Sequence, residues 1–298
     1  MIPLVKERFA KGKYTAEPYP ANRRFHMTYA EINNFLSASA DRGKNEHFHW
    51  GRFEWMMTHT MLDVNQIHRV VSFKDTLGEI KGLLTFDTEY DNRWYLIHRD
   101  DDSALIAQML ETAQMFDGNE VVFKVNSADT VLDGFLRKQG FLPRQRTETV
   151  LQFDLNQDLS YELPDSYRIS PVDFVISPWN YQMLIHRGFG GEGTPEPWDP
   201  RVFEPTPNYN NALKVFVLKD GIYCAHCGVW YNGGDTAYIE PVVTDPDYRR
   251  LGLAKSAVYE ALSRAKAMGA KRAIVISDQP FYYKIGFFLS SHVISYQK

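Results

Sequence analysis

Hydrophobic and polar positions follow two regular patterns near the C-terminal end of the chain. Residues 238–244 and 272–276 are apolar runs of strand length. Between them, from Leu253 to Met268, apolar residues recur every three or four positions, which predicts a helix with one core-facing side. Gly269 then supplies the left-handed residue that commonly ends a helix. The pattern predicts a strand, a tight turn, a helix and a strand, which together form a βαβ unit.

The preceding residues show a similar alternation of strand and helix patterns. Thr28 to Glu31 has the spacing of a capping box, so a helix is expected to begin there. A second helix is expected over residues 48–63. Further segments predict a helix over 103–116 and strands at 67–73, 80–86, 94–97 and 121–125.

Two parts of the chain end in the same way. Gly140 and Phe141 correspond to Gly286 and Phe287, and each pair follows a strand and helix pattern and precedes a closing strand, at 150–153 and 293–296. We therefore interpret the chain as two copies of one α/β unit. The expected domains are an N-terminal arm (1–24), a first domain (25–156), a linker (157–166) and a second domain (167–298).

The composition of the chain favours some classes of protein over others. The chain has 298 residues, 44% of them hydrophobic, which is enough for two domains with separate cores. Its formal net charge of -4 gives no broad basic surface for nucleic acid. Its apolar runs are shorter than the roughly 20 residues of a membrane span, and Met1–Lys6 is too short and too quickly charged for a signal peptide. We expect a cytoplasmic protein that acts on a small molecule, without a nucleic-acid or membrane partner.

Two groups of residues could suggest metal or redox chemistry. Cys224 and Cys227 lie three apart in a strand pattern, so their side chains point to opposite faces and suit neither a shared metal nor a redox pair. His47, His49 and His59 have no carboxylate partner at helical spacing. The sequence therefore predicts structural roles for these residues and no metal site.

The turn before Leu253 carries the candidate chemistry. A helix N-terminus presents unpaired backbone N–H groups and the positive end of its dipole, and small residues there let a diphosphate approach the main chain. Gly252 occupies that place, and Arg249 and Arg250 add positive charge beside it. The alternative is an ordinary strand-to-helix turn with solvated arginines.

The order of these segments closely resembles the GNAT superfamily of acetyl-CoA-dependent N-acetyltransferases. The resemblance implies an α/β fold of two tandem GNAT-like domains, each with a mixed sheet flanked by helices. Where the family often places an Asn that contacts the pantetheine, this chain has Ser277–Pro280. The pantetheine arm would pair with the strand at Val242, Val243 and Thr244. The CoA diphosphate would be wrapped by Arg249, Arg250, Leu251, Gly252, Leu253, Ala254 and Lys255.

The resemblance also implies catalytic roles. Tyr282, four residues before Gly286, would protonate the leaving thiolate, and a shift of one residue would give that role to Tyr283. Such a transfer also needs a base, because the ammonium of the acceptor must lose a proton. Glu240 is the candidate base, directly or through a water, and His226 is the alternative.

A long irregular segment, residues 187–211, is rich in glycine and proline. In the family this region lies over the acceptor, so the resemblance assigns it to substrate selection. The alternative is a solvated loop that binds no ligand. Candidate contacts to an amine-bearing acceptor are Phe189, Glu192, Trp198 and His226.

The first copy differs from the second at both functional positions. Asp100–Ser103 stands where the second copy has Arg249–Gly252, and Leu136 stands where it has Tyr282. Carboxylates at a helix start favour the helix dipole but repel a diphosphate. We expect the first copy to be structural or to shape the acceptor site.

The expected function is transfer of an acetyl group from acetyl-CoA to the primary amine of a small molecule. One alternative is an acyl-CoA sensor or scaffold without catalysis. Another is an aminoacyl transferase of the tandem-GNAT type that uses charged tRNA, which the net charge of -4 disfavours. The identity of the acceptor, the acyl-chain preference and the oligomeric state stay open.

Overall fold

Each half of the chain is built on a mixed β-sheet. The computed structural model describes residues 12–21, 24–40, 43–198 and 204–298. The chain divides into unit 1, which comprises Met1–Val150 and Ser290–Lys298, and unit 2, which comprises Leu151–Leu289.

Twelve strands and seven α-helices make up the two units over the residues that the structure describes. They are β1 (Thr15–Pro18), α1 (Met27–Ala40), α2 (Trp50–Thr58), β2 (Val71–Lys74), β3 (Ile80–Thr85), β4 (Arg93–His98), α3 (Ser103–Asp117), β5 (Val122–Asn126), α4 (Thr130–Lys138), β6 (Leu142–Asp154), β7 (Arg168–Ile169), α5 (Pro178–Gly188), β8 (Lys214–Lys219), β9 (Ile222–Trp230), β10 (Thr236–Thr244), α6 (Leu253–Ala267), β11 (Arg272–Ile276), α7 (Pro280–Lys284) and β12 (Phe288–Gln297).

The sheets of the two units have the same strand order. In unit 1 the order is β1-β2-β3-β4-β5-β12, and the residues of β6 up to Val150 follow β12 as a further strand. In unit 2 the order is β7-β8-β9-β10-β11-β6, with β6 represented there by its last residues, from Leu151. In each sheet the parallel pair lies at the same place, β4 with β5 and β10 with β11. The repeated order confirms the predicted α/β fold of two similar units.

The last strand of the chain belongs to unit 1. Its sequence pattern predicted a strand at 293–296 that would close the second copy. Instead β12 pairs antiparallel with β5, where Ile294 lies opposite Val125. Strand patterns indicate which residues extend, but the choice of partner depends on packing between distant segments.

The sequence-based boundaries differ from the structure in several places. The chain divides between Val150 and Leu151, ahead of the expected linker at 157–166. In the expected arm, residues 15–18 form β1 and pair with β2, while residues 1–11 and 22–23 lie outside the described part. Residues 67–69 form a short 3-10 turn before β2, and α2 ends at Thr58, ahead of residue 63. Helix ends depend on contacts that periodicity does not show.

Helix α6 packs its predicted face into the core of unit 2. The buried residues on that face include Leu253, Ala257, Val258, Ala261, Leu262 and Ala265. Met268, which the pattern placed on the same face, follows the end of the helix and is 44% exposed. None of the helices in the described part combines the length and the apolar character that crossing a membrane requires.

Candidate active site

A β-bulge in β10 creates the site. The pairing of β10 with β9 changes register between Ile239 and Val242, so that β10 carries one residue more than its partner. Gly228 lies against the bulge, and a Cβ added there would come within 2.6 Å of the Glu240 carbonyl oxygen. Trp230 donates a hydrogen bond from Nε1 to the same oxygen at 2.8 Å. A glycine on β9 therefore makes room for the bulge, and the indole holds it.

Beyond the bulge, β10 separates from β11. The parallel pairing of the two strands covers only residues 236–238 with 272–274. Val242 and Val243 pair with β9 on one side and have no partner strand on the other side among the described residues. Alternate backbone N–H and C=O groups of an antiparallel strand point to each side. This edge therefore offers main-chain hydrogen-bonding groups to a ligand.

The N-terminus of α6 is also open. Its N-cap is Gly252, which has a φ of +81° and offers no side chain to cap the helix. A Cβ added at Gly252 would meet no atom within 4 Å. The backbone N–H groups of the first turn have no partners inside the helix. Together with the helix dipole they form an anion-binding position.

One cavity of about 650 Å³ joins the open strand edge to the helix N-terminus. Its charged lining residues are Arg249, Arg250, Lys255 and Lys284, and none of the Asp or Glu residues that the structure describes lines it. The cavity is therefore electrostatically suited to an anionic ligand. Its other lining residues are Gly188, Phe189, Val242, Val243, Thr244, Tyr248, Gly252, Leu253, Ala254, Gln279, Phe281 and Tyr282.

All the predicted cofactor residues except Leu251 line this cavity. Leu251 is 45% exposed. The guanidinium of Arg249 is engaged with the backbone, because Nη2 donates to the carbonyl of Gly188 at 2.7 Å and Nε to that of Thr244 at 3.3 Å. The Arg249 side chain therefore links the end of α5 to the end of β10 through hydrogen bonds.

The end of α5 lies directly on β10. A Cβ added at Gly188 would come within 1.9 Å of Val243 Cγ2, so only glycine fits. Arg187 also forms an ion pair with Asp245 at 2.6 Å, and the pKa of the Asp245 carboxyl is lowered by this guanidinium against the opposing effect of burial. These contacts give one wall of the cavity a fixed shape.

Tyr282 lies in the cavity with its side chain mostly buried. Its ring centroid is 5.1 Å from that of Phe281 and 5.4 Å from that of Phe287. Burial raises the pKa of its hydroxyl well above the ordinary value, and Cys227 and Glu240 raise it further. The hydroxyl therefore stays protonated near neutral pH and can donate a proton. Tyr283 is 45% exposed and does not line the cavity.

Glu240, in the bulge, accepts a hydrogen bond from the Tyr238 hydroxyl at 2.5 Å. Its charge adds to burial in raising the pKa of Tyr181 as well as that of Tyr282, although Glu240 itself does not line the cavity. His226 is stacked on Phe216, with ring centroids 4.3 Å apart. Burial lowers the pKa of His226 to about 3, which makes it a poor proton acceptor.

The predicted acceptor contacts are dispersed. Phe189 lines the cavity with its ring 65% exposed. The Glu192 side chain is exposed, and its carbonyl accepts a hydrogen bond from His186 Nε2 at 3.0 Å. The Trp198 backbone N–H donates to Gln182 Oε1 at 3.0 Å, and its ring lies beside Tyr181. Residues 199–203 of this segment lie outside the described part.

Five further residues line the cavity and were not predicted from the sequence: Gly188, Tyr248, Gln279, Phe281 and Lys284. Lys284 had a usable signal, because it follows Tyr282 by two residues on the same short helix. Gly188 had none, because its role depends on contact with a strand more than fifty residues away in sequence.

The two cysteines are free thiols buried in unit 2. Burial raises the pKa of Cys224 to about 11 and that of Cys227 to about 12, which keeps both protonated. Over the residues that the structure describes, no group of three or more His, Cys, Asp or Glu side chains could hold a metal ion.

Known proteins with the same architecture were found by sequence and by structure. Residues 182–287 match the Acetyltransferase (GNAT) family. No match was found among curated proteins. A GCN5-related N-acetyltransferase from Sphaerobacter thermophilus superposes with a TM-score of 0.55 at 15% identity, covering 96% of this chain and 95% of its own.

Two other solved structures cover both units. A tandem GNAT protein from the clavulanic acid biosynthesis pathway, solved without AcCoA, gives a TM-score of 0.58 at 12% identity over 95% of this chain and 97% of its own. L-PGS from Bacillus licheniformis gives 0.54 at 12% identity over 95% and 93%. At these identities the likeness shows the fold. Together with the family match, it shows that this chain has a tandem GNAT fold whose residues 182–287 form an acetyltransferase (GNAT) family domain.

Proposed function

We propose that the protein transfers an acetyl group from acetyl-CoA to the primary amine of a small molecule. Membership of residues 182–287 in the GNAT family supports an acyltransferase in general. One observation carries the more specific proposal: a single cavity contains the open N-terminus of α6, the unpaired edge of β10 and the buried hydroxyl of Tyr282.

The residues of the cavity fit coenzyme A. The first turn of α6, with Gly252 and Arg250, would hold the diphosphate through backbone N–H groups and positive charge. The edge at Val242 and Val243 would hydrogen-bond to the amides of the pantetheine arm. Among the described residues, the charged side chains that line the cavity are all cationic, which favours this anionic ligand. When bound, acetyl-CoA would supply an activated acyl group as a thioester.

The chain's own groups supply the proton transfers. Tyr282 holds its proton at the hydroxyl oxygen and can give it to a departing sulfur. Glu240 carries a carboxylate whose charge acts on Tyr282, and in this proposal it takes a proton from the acceptor ammonium, directly or through a water. Positioned acids and bases each contribute about 10² to 10⁴-fold to such reactions. In this proposal unit 1, which has Leu136 at the position of Tyr282, has a structural role.

Release of free thiol from acetyl-CoA tests the proposal. The protein would be incubated with acetyl-CoA and a panel of amines that includes aminoglycosides, amino acids, polyamines and a lysine peptide. We expect thiol release that depends on one class of amine, with the acetylated amine detected by mass spectrometry. Binding of acetyl-CoA without amine-dependent release across the panel would contradict catalysis and favour a non-catalytic acyl-CoA sensor or scaffold.

A further inference from the structure

The four cations of the cavity differ in the contacts they already make. Arg249 is held by the carbonyls of Gly188 and Thr244. Lys255 places its ammonium 4.9 Å from the ring centroid of Tyr259. The side chains of Arg250 and Lys284 form no hydrogen bond, ion pair or ring contact with any residue that the structure describes. Two positive charges of the cavity are therefore available to a ligand.

These two cations belong to different elements. Arg250, with a φ of +67°, lies two residues before Gly252 at the start of α6. Lys284 is the last residue of α7, the helix that carries Tyr282. Successive residues of a helix are about 100° apart, so side chains two apart point in different directions. The buried Tyr282 therefore reaches the inner part of the cavity, and the exposed Lys284 reaches its mouth.

The available charges match two separate anionic groups. Coenzyme A carries a diphosphate and, on its ribose, a 3′-phosphate. The N-terminus of α6 and Arg250 form one anion site, which accounts for the diphosphate. A phosphate monoester carries about -1.5 to -2 charges at pH 7, and lysine binds phosphate as a point charge. Lys284 provides a charge of this kind at the mouth of the cavity, where the nucleotide end of the ligand would lie.

On the basis of the proposed function, we infer that Lys284 binds the 3′-phosphate of coenzyme A and makes the site select coenzyme A over 3′-dephospho-coenzyme A. Lys284 is then a residue for cofactor specificity, whereas Arg250 serves the diphosphate that both ligands share.

Calorimetric titration of both ligands tests this assignment. The wild type, Lys284→Gln, Arg250→Gln and Lys138→Gln would each be titrated with coenzyme A and with 3′-dephospho-coenzyme A. Lys138 is the matched control, because it is exposed at the end of α4, the corresponding helix of unit 1. Thermal unfolding of each variant would verify the fold.

We expect the wild type to bind coenzyme A up to about fivefold more tightly than the dephospho form, as one exposed charged contact would give. Lys284→Gln should weaken coenzyme A binding by that factor and leave the dephospho form unchanged, so that the preference disappears. Arg250→Gln should weaken both ligands equally, and Lys138→Gln neither.

Three results would overturn the inference. The first is a preference for coenzyme A over the dephospho form that persists in Lys284→Gln. The second is an equal loss of affinity for both ligands in Lys284→Gln. The third is loss of the preference in Arg250→Gln alone. If neither ligand bound the wild type, the proposed function itself would fail, and the inference would fall with it. If the wild type bound coenzyme A and 3′-dephospho-coenzyme A equally well, the proposed function would stand and only the role of Lys284 would be contradicted.

Discussion

The N-termini of α3 in unit 1 and α6 in unit 2 follow corresponding strands, yet their chemistry is opposite. In α3 the carboxylate of Asp102 caps the helix by accepting from the Ala104 N–H at 2.8 Å. The same carboxylate accepts from Lys13 at 2.8 Å and from the Tyr14 hydroxyl at 2.7 Å. In α6 the cap is Gly252, which contributes no side chain. In unit 1 a side chain of the protein caps the helix, whereas in unit 2 no side chain caps it, as binding of the proposed diphosphate requires.

The strands before these helices, β4 and β10, also differ in how their polar groups are paired. β4 pairs with β3 in continuous register, whereas β10 is bulged against β9. At the end of β4, His98 Nε2 is bonded to Asp129 Oδ2 at 2.7 Å, and Asn45 donates to the His98 carbonyl at 2.9 Å. Side chains of unit 1 thus occupy the polar groups at the end of this strand. The same fold thus pairs the polar groups at this helix start with its own side chains in unit 1 and leaves them without a side-chain cap in unit 2, which is the difference that the proposed coenzyme A site requires.

The largest effect is expected at the position where unit 1 has Leu136. Tyr282→Phe removes the hydroxyl that holds the transferred proton, so turnover should fall by about 10² to 10⁴-fold. Coenzyme A affinity should change little, because the ring remains. The measurement is the rate of thiol release with the best acceptor of the amine panel. Tyr283→Phe is the control, and an equal loss in both variants would remove Tyr282 from the role.

The next largest effect is expected when the helix cap of unit 2 is given the carboxylate that caps α3 in unit 1. Gly252→Asp places a carboxylate at the N-terminus of α6 and strains a residue with positive φ. Coenzyme A affinity should fall by about 100-fold, from backbone strain together with repulsion of the diphosphate. Gly252→Asn shares the strain and lacks the charge, so it should lose less. If calorimetry found the two variants equal, charge would not be the cause.

Local patterns predicted most of the fold and the centre of the site. The stripe of α6 and the turn from Arg249 to Ala254 depend on residues close together in sequence; in the structure the helix begins at Leu253, and all residues of the turn except Leu251 line the cavity. The partner of β12 could not be predicted in this way. The residues of β12 would form a strand whichever unit they joined, and the packing of distant segments selects β5 as the partner.

Details of the site that depend on tertiary contacts could not be predicted from the sequence either. Arg249 was expected on the diphosphate, but its guanidinium is engaged by the carbonyls of Gly188 and Thr244, and Gly188 is distant in sequence. The position of Glu240 depends on the bulge, which forms because Gly228 on the neighbouring strand leaves room for it. A single sequence indicates the residue types of a site, whereas the contacts that orient them arise on folding.

The smallest effect concerns the stability of unit 1. Asp102→Ala removes an N-cap, which should lower the free energy of unfolding by about 1 kcal/mol without changing coenzyme A affinity. Hydrogen bonds from Lys13 and Tyr14 lower the pKa of the Asp102 carboxyl. A lowered pKa stabilises the folded state above the unfolded pKa of about 3.9.

Chemical denaturation at several pH values would measure this contribution. The difference between wild type and Asp102→Ala should be complete at neutral pH and should narrow as the pH falls below about 4. Asp102→Asn, which keeps a capping oxygen, should be less destabilised than Asp102→Ala. A difference that grows on acidification would contradict the assigned role of the carboxylate.

A crystal structure of the protein with acetyl-CoA tests the central claim most directly, because it shows which unit holds the ligand. We predict one molecule per chain, with its diphosphate at the first turn of α6 and its pantetheine arm along Val242 and Val243. Ligand density at the N-terminus of α3, or none in the cavity of unit 2 at saturating acetyl-CoA, would contradict it.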